Sequence, residues 1–163
     1  MRETWRRFGR RAFSTALAIV ALFAAATFVT SSVTISPTPS DGYHVFLYRR
    51  SFGEIQPGHY VMFRARTDLV DRCREGCYLI KRVVCTAGQR LRVRNREFFC
   101  DGVFLGRAKT RSKRGVAVEA FRYDGVIPEG LLFVMGCHPD SYDSRYFGFV
   151  RVSDVEAVAR PLF

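Results

Sequence analysis

An uncharged, apolar run near the N-terminus constrains this chain most. No charged residue occurs from Ala12 to Val33, and that length is about what a helix needs to cross the hydrocarbon core of a membrane. Five arginines precede the run, and basic residues keep the end that carries them in the cytoplasm. The sequence therefore predicts a basic cytoplasmic tail (1–11), a transmembrane anchor (12–33) and a domain on the outer side (34–163).

A cleaved signal peptide is the alternative interpretation of the same run. Ala24-Ala25-Ala26 offers the small residues of a cleavage site, and Arg10-Arg11-Ala12-Phe13 resembles a twin-arginine signal. A retained anchor is favoured, because the apolar stretch is long and continues without a polar gap almost to the next feature.

The net charge of +11 raises the question of a nucleic-acid partner. The basic residues are spread along the chain, and no recognition helix, zinc finger or aromatic-basic stacking motif accompanies them. We therefore expect no nucleic-acid partner.

The five cysteines cannot all pair within one chain, because their number is odd. Cys73 and Cys77 flank a small polar loop and could close it as a disulfide if this region is exported. A zinc site would need two further ligands at suitable spacing, and the sequence does not offer them. We expect neither a metal nor another cofactor.

The part after the apolar run has the pattern of a mainly β domain. A loop with two prolines and a glycine, Ser36–Tyr43, comes first, and Asp101-Gly102 is a strong signal for a two-residue hairpin turn. The predicted strands are Tyr43–Arg49, His59–Arg64, Tyr78–Cys85, Gln89–Arg94, Glu97–Cys100, Val103–Leu105, Leu131–Met135 and Val150–Val158. Residues 107–115 are basic and polar, which predicts an exposed loop.

The predicted strand Tyr78–Cys85 carries a lysine that an ordinary buried strand would not contain. At a period of two residues, Lys81 shares a face with Leu79, Val83 and Cys85. Burial of that face would lower the pKa of the Lys81 ammonium, which would make the amine a base at neutral pH. The alternative is an edge-strand lysine whose stem lies along the sheet while its charged end stays in water.

Hydrolysis of a peptide bond can use a serine that a neutral lysine activates. Ser40 and Lys81 are the candidates here, and a polar segment, 136–150, supplies Asp143 and Arg145 at a spacing that suits an ion pair. A purely structural salt bridge is the alternative for that pair. His44, His59 and His138 are scattered and have no matched acid, so surface or structural roles are expected for them.

Two motifs, in chain order, resemble those of a known family. Lys81-Arg82-Val83-Val84, followed by Ala87-Gly88, and Asp143-Ser144-Arg145-Tyr146-Phe147-Gly148-Phe149-Val150 are similar to two conserved boxes of the type I signal peptidases. The segment His138–Gly148 is closer to their conjugative-transfer relatives, the TraF-type and TrhF-type peptidases that mature pilin precursors. The resemblance implies a β-rich catalytic domain of the signal-peptidase type with one N-terminal transmembrane helix.

The resemblance also implies a role for each matching residue. Ser40, within Thr38-Pro39-Ser40, would be the nucleophile and Lys81 the general base. The Thr38 hydroxyl would join the Ser40 amide in the oxyanion hole. Ser141 would bond to the lysine, and Asp143 with Arg145 would support the site.

The segment around the predicted nucleophile departs from the family pattern. Where relatives have an apolar residue, then proline, then glycine two positions further on, this chain has Asp41, Gly42 and His44. An acid beside the nucleophile would favour a protonated, inactive lysine. Ser36 is a second candidate nucleophile, with no matching residues before it.

These inferences predict a membrane-bound serine endopeptidase in the bacterial inner membrane, with its catalytic domain in the periplasm. The resemblance implies that it cleaves, or cleaves and cyclises, a membrane-held precursor such as a conjugative pilin, with the lipid bilayer as its other partner. The alternative is a non-catalytic component of a conjugation or secretion apparatus that retains the peptidase fold.

Overall fold

The chain divides into two units, residues 1–34 and 35–163. The computed structural model describes residues 2–35, 42–70 and 73–162, with the side chains of 2–12 and 28–31 excepted. Helix α1 (Arg2–Ser32) makes up nearly all of the first unit, and the short strand β1 (Val33–Ile35) follows it.

Helix α1 presents apolar side chains to its surroundings. Over residues 13–27 every side chain is exposed, and Phe13, Leu17, Ile19, Val20, Leu22 and Phe23 are the large apolar ones among them. Within the part of the chain whose side chains are described, no helix is long and apolar enough to cross a membrane. The anchor over 12–33 stays a prediction.

The second unit is mainly β, as predicted. Its strands are β2 (Val45–Arg49), β3 (Tyr60–Ala65), β4 (Cys77–Thr86), β5 (Arg90–Arg94), β6 (Glu97–Cys100), β7 (Val103–Arg107), β8 (Asp124–Val126), β9 (Leu131–Met135), β10 (Val150–Arg151) and β11 (Val155–Pro161). One short helix, α2 (Ser144–Phe147), and a 3₁₀ turn, Val152–Asp154, complete the elements of this unit that the structure describes.

Two sheets are formed by these strands. Within the second unit, the larger sheet has the order β2-β11-β3-β4-β9-β10, and the smaller has the order β7-β6-β5-β8. Strand β4 lies inside the larger sheet, antiparallel to β3 on one side and to β9 on the other. Pairing with β3 includes Lys81, whereas pairing with β9 starts at the next residue, Arg82. Only 3 % of the Lys81 surface is exposed, which excludes the alternative of an edge-strand lysine with its charged end in water.

The inward face of β4 contains the residues that a period of two predicts. Lys81, Val83 and Cys85 are buried, and Leu79 packs against the core beside them. A β-bulge interrupts the pairing with β9 between Val83 and Cys85, and bulges bend a strand and increase its twist. Val83 consequently packs in one apolar cluster and Cys85 in another.

Those two clusters form most of the core. The first contains Ile55, Val61, Phe63, Val83, Leu132, Val134, Val150 and Val155. The second contains Cys85, Leu91, Phe98, Cys100, Ala108, Ile127, Phe133 and Met135, which come from both sheets. The second cluster therefore holds the smaller sheet against the larger one.

Tight turns connect neighbouring strands of the smaller sheet. Asp101 and Gly102 both have positive φ, +47° and +83°, as a two-residue hairpin turn requires, so the predicted hairpin is confirmed. Asn95 and Arg96, between β5 and β6, have φ of +49° and +67°. This second turn was not predicted from the sequence.

Two disulfides are present. Cys73 pairs with Cys77, which closes the polar loop as the sequence analysis suggested. Cys85 pairs with Cys100 and links β4 of the larger sheet to β6 of the smaller one. The sequence alone did not indicate that second pairing.

Two predicted segments need correction. The closing strand predicted over 150–158 is broken by the 3₁₀ turn into β10 and β11. The basic stretch predicted as a loop over 107–115 begins with the end of β7 and continues as a small hairpin, which we call the basic hairpin (residues 108–118). A bridge between Arg111 and Ala117 closes it.

Candidate active site

Lys81 is the functional candidate that the fold constrains most tightly. It lies in the middle of β4, across from Val61 on β3, and only 3 % of its surface is exposed. Val61 and Val83, its neighbours on that face, are fully buried. The Lys81 side chain therefore leaves β4 on a buried face with apolar neighbours.

The predicted nucleophile lies outside the residues that the structure describes. Ser40 falls in the segment 36–41, together with Thr38, Asp41 and the second candidate, Ser36. Their roles, and the contact between Ser40 and Lys81, stay predictions. The described chain resumes at Gly42, whose φ of +79° is a conformation that glycine adopts at no steric cost.

Asp143 and Arg145 form the ion pair that their spacing predicted. Arg145 Nε donates to Asp143 Oδ1 at 2.8 Å, and Arg145 Nη2 donates to Asp143 Oδ2 at 2.7 Å. The side chains are 0 % and 4 % exposed, respectively. Burial alone would lower the pKa of Arg145, but the hydrogen bond and the charge of Asp143 raise it above its ordinary value.

This pair organises the backbone around it. Asp143 caps helix α2 by accepting from the Arg145 amide at 3.1 Å, and its Oδ2 accepts from the Gly136 amide at 2.9 Å. The Arg145 guanidinium donates in addition to three backbone carbonyls, those of Arg107, His138 and Ser141. The loop that follows β9 is thus held at both of its ends by one buried pair.

That loop starts beside Lys81. Met135, the last residue of β9, pairs with Arg82, so the chain leaves the sheet next to the lysine strand. A cleft of about 400 Å³ opens at this point. Its lining includes Gly58, Val84, Leu105, Met135 and Gly136, so it is mostly apolar.

Ser141 is buried, with 5 % of its surface exposed, but it does not make the bond predicted for it. Its hydroxyl has no hydrogen-bond partner in the described part of the chain. The predicted hydrogen bond between Ser141 and the Lys81 amine is therefore not formed in this structure. The physical reason is the fixed loop: Arg145 holds the Ser141 carbonyl, while the side chain lines a separate pocket.

Two further polar residues of this loop were not singled out from the sequence. The buried Ser144 hydroxyl accepts from the Val134 amide at 2.9 Å, which ties α2 to β9. The Tyr146 hydroxyl accepts from the Lys109 amide at 3.1 Å, which ties α2 to the basic hairpin. Neither contact could be predicted from the sequence, because each partner is a distant backbone amide.

Two of the histidines in the described residues make local contacts. His59 Nδ1 accepts from the Gln56 amide at 3.3 Å, and His138 Nδ1 accepts from the Asp140 amide at 3.1 Å. Among the described residues, no cluster of three or more histidine, cysteine or acidic side chains is placed to hold a metal.

Comparison with known proteins identifies the class. A family model described as signal peptidase, peptidase S26, matches residues 5–163. The chain therefore belongs to the S26 family of signal peptidases.

Two individual relatives are more specific. The conjugal transfer protein TraF of Agrobacterium fabrum is 38 % identical over 87 residues, which are 52 % of this chain and 48 % of that protein. The matched part thus spans about half the length of that curated relative. A signal peptidase I from Enterococcus faecalis V583 is 30 % identical, with a TM-score of 0.43, over 66 % of this chain and 98 % of that structure. The resemblance to TraF-like S26 peptidases is confirmed.

Proposed function

We propose that this chain is a serine endopeptidase in which Ser40 is the nucleophile and Lys81 the general base. The observation that carries the proposal is the position of Lys81: a lysine with 3 % of its surface exposed, on an internal strand of the larger sheet. Lysines are almost never buried in this way without a function or a partner that requires it. Membership of the S26 family supports the same assignment.

The chemistry follows from the burial. Removing the amine from water disfavours its charged form, so the neutral amine can accept the proton of the Ser40 hydroxyl. The Ser40 oxygen would attack a carbonyl that follows a small residue, and the Ser40 amide with the Thr38 hydroxyl would bind the oxyanion. Lys81 would then protonate the leaving amine and later deprotonate the water that releases the acyl group.

Asp143 and Arg145 support the site through the backbone. They fix the loop that leaves β9 beside Lys81, as their bonds to Gly136, Arg107 and His138 indicate. Held in this way, the loop forms one wall of the apolar cleft. A cleft of that size could hold a small residue before the scissile bond.

We propose as substrate a membrane-held precursor exported by the bacterium, such as a conjugative pilin, which would be cleaved or cyclised. The relation to a conjugal transfer protein favours a role in conjugation. The uncharged run 12–33 and the exposed apolar side chains of α1 favour attachment to the inner membrane, with the second unit in the periplasm. Enzyme and scissile bond would then share a thin layer at the lipid surface.

The dyad is tested with Lys81→Met, which keeps an unbranched apolar stem in the buried position. The full-length protein is co-expressed with the pilin precursor, and processing is followed by mass spectrometry of the product. We expect processing to be abolished in Lys81→Met and in Ser40→Ala, and to be unchanged in a matched control, Arg94→Met, which removes an exposed cation from β5. Undiminished processing by Lys81→Met would exclude the dyad.

A non-catalytic component with the peptidase fold is the second candidate. Asp41 and Gly42, in place of the residues that relatives carry beside the nucleophile, favour it. A serine-directed acylating inhibitor separates the two: a catalytic chain acquires a label on Ser40, detected by peptide mass spectrometry. An unlabelled Ser40, under conditions that label an active relative, would support the non-catalytic role.

A further inference from the structure

A small pocket, lined by apolar as well as charged side chains, lies between the basic hairpin and the loop that contains Ser141. Its volume is about 80 Å³. Three cationic side chains, Lys109, Arg111 and Lys113, line it from the hairpin, and Asp140 lines it from the loop. The pocket is separate from the apolar cleft, and neither Asp143 nor Arg145 lines it.

The charges around the pocket do not balance. Lys109 Nζ donates to Asp140 Oδ1, and this hydrogen bond is the main cause that lowers the pKa of Asp140 below its ordinary 3.8. Lys113 Nζ is 3.9 Å from the other oxygen, on a side chain that is 70 % exposed. Arg111 Nη1 donates to the Gly115 carbonyl at 2.8 Å. Of the described lining residues, one carboxylate thus faces three cations, so the pocket is positive.

Two hydroxyl groups in the pocket are also unused. The oxygens of Ser112 and Ser141 are buried, and neither has a hydrogen-bond partner within the described ranges. Both residues line this same pocket. Buried polar side-chain atoms are nearly always hydrogen-bonded, so two unused hydroxyls on residues that line one small, positive space indicate a polar occupant.

The size and chemistry of the pocket indicate which kind of group it binds. A volume of about 80 Å³ is too small for a drug-sized ligand, but it suits one functional group. Hydroxyl donors and cations together are the partners of a carboxylate, and such charge-assisted hydrogen bonds are the strong ones.

The pocket is also close to the proposed catalytic site along the chain. The loop with Ser141 begins where β9 pairs with Arg82, one residue from Lys81. Arg145 anchors that loop by donating to the Ser141 carbonyl at 3.4 Å. One short loop therefore connects the strand beside Lys81 to the pocket.

We propose that this pocket binds the carboxylate of an Asp or Glu side chain in the substrate, a few residues from the scissile bond. The inference rests on the proposed peptidase function, since it names a feature of that substrate. The cations of the basic hairpin would attract the carboxylate, and the hydroxyls of Ser112 and Ser141 would donate to it.

The test measures binding separately from cleavage. Fluorescein-labelled, alanine-based octapeptides with a single Glu, and partners with Gln at the same position, are titrated with full-length Ser40→Ala protein in detergent micelles. At one position or more, we expect the Glu peptide to bind about tenfold more tightly than its Gln partner. In Lys113→Met and in Ser112→Ala, both on the Ser40→Ala background, that preference should fall several-fold, whereas Arg94→Met should retain it.

The outcomes distinguish this inference from the proposed function. Equal affinity for Glu and Gln peptides at every position would overturn the carboxylate pocket, as would a preference that Lys113→Met leaves unchanged. If the Ser40→Ala protein prefers Glu peptides but the wild-type protein cleaves no substrate, the carboxylate pocket would be supported and the proposed peptidase function would be rejected. Far-ultraviolet circular dichroism of each variant checks that the fold is intact.

Discussion

Two ion pairs on the same loop differ in nearly every physical respect. Asp143–Arg145 is buried and joined by two parallel hydrogen bonds. Both side chains also make hydrogen bonds to backbone groups around them. Lys109–Asp140 lies at the surface, with the lysine side chain 46 % exposed, and borders a pocket with surplus positive charge. The inner pair determines where the loop lies, whereas the outer pair leaves charge available to a ligand.

The difference shows how one loop can combine rigidity with binding. A buried charge must have its partners supplied by the protein, because water cannot reach it. An exposed charge is solvated in any case and can exchange water for a ligand at little cost. Replacing members of each pair should therefore affect different properties of the protein.

The largest effect is expected from Asp143→Ala. It leaves the Arg145 guanidinium buried without a counter-charge, and breaking a buried pair in this way costs about 3–5 kcal/mol of the free energy of unfolding. Chemical denaturation followed by fluorescence measures it. Asp140→Ala, the matched change in the outer pair, should cost far less, and similar losses for the two variants would contradict the distinction.

The second-largest effect is expected in the interaction free energy within each pair. In a double-mutant cycle with Asp143→Leu and Arg145→Met, we expect an interaction free energy of about 2 kcal/mol or more, since the two side chains share a desolvated contact. The cycle with Lys109→Met and Asp140→Asn should give a measurable but much smaller coupling, as is usual for exposed ion pairs. Additive losses in the inner pair would show that the two charges act independently.

A smaller effect is expected in the pH dependence of stability. Because Lys109 lowers the pKa of Asp140, the stabilisation from this carboxylate is present above its ordinary pKa of 3.8 and is lost as the pH falls through the lowered folded value. The stability difference between wild type and Lys109→Met should therefore be constant near neutral pH and shrink below about pH 4. Urea midpoints measured across this range check it, and a difference that grows in acid would refute the assignment.

The smallest effect is the response to salt. At about 1 M salt the Debye length is only about 3 Å, so exposed charges are screened and buried ones much less. The destabilisation by Lys109→Met should disappear in 1 M NaCl, while that by Asp143→Ala should persist. Loss of both effects in salt would place the inner pair in contact with solvent.

Much of the fold could be predicted because local rules determine it. A period of two residues placed Lys81, Val83 and Cys85 on one buried face, and Asp101-Gly102 located a hairpin. The spacing of Asp143 and Arg145 indicated their ion pair. In each case the signal lies within a few residues of its partner.

The features that were not predicted from the sequence depend on contacts between residues far apart in the chain. The bulge after Val83 arises from the register with β9, some fifty residues later in the chain. The turn at Asn95-Arg96 places an arginine at positive φ, a conformation that arginine seldom adopts. The packing of the basic hairpin rests on Tyr146 and Asp140, which no local pattern connects to Lys109. Such contacts follow from the tertiary arrangement as a whole.

The bond between Cys85 and Cys100 has a consequence for where the protein can mature. It fastens the second sheet to the strand of Lys81 four positions beyond the amine, and such bonds persist only in oxidising compartments. A chain still facing the reducing cytoplasm would hold its two sheets together without this covalent link. If the second unit is periplasmic, as proposed, passage across the membrane would be the event that forms it.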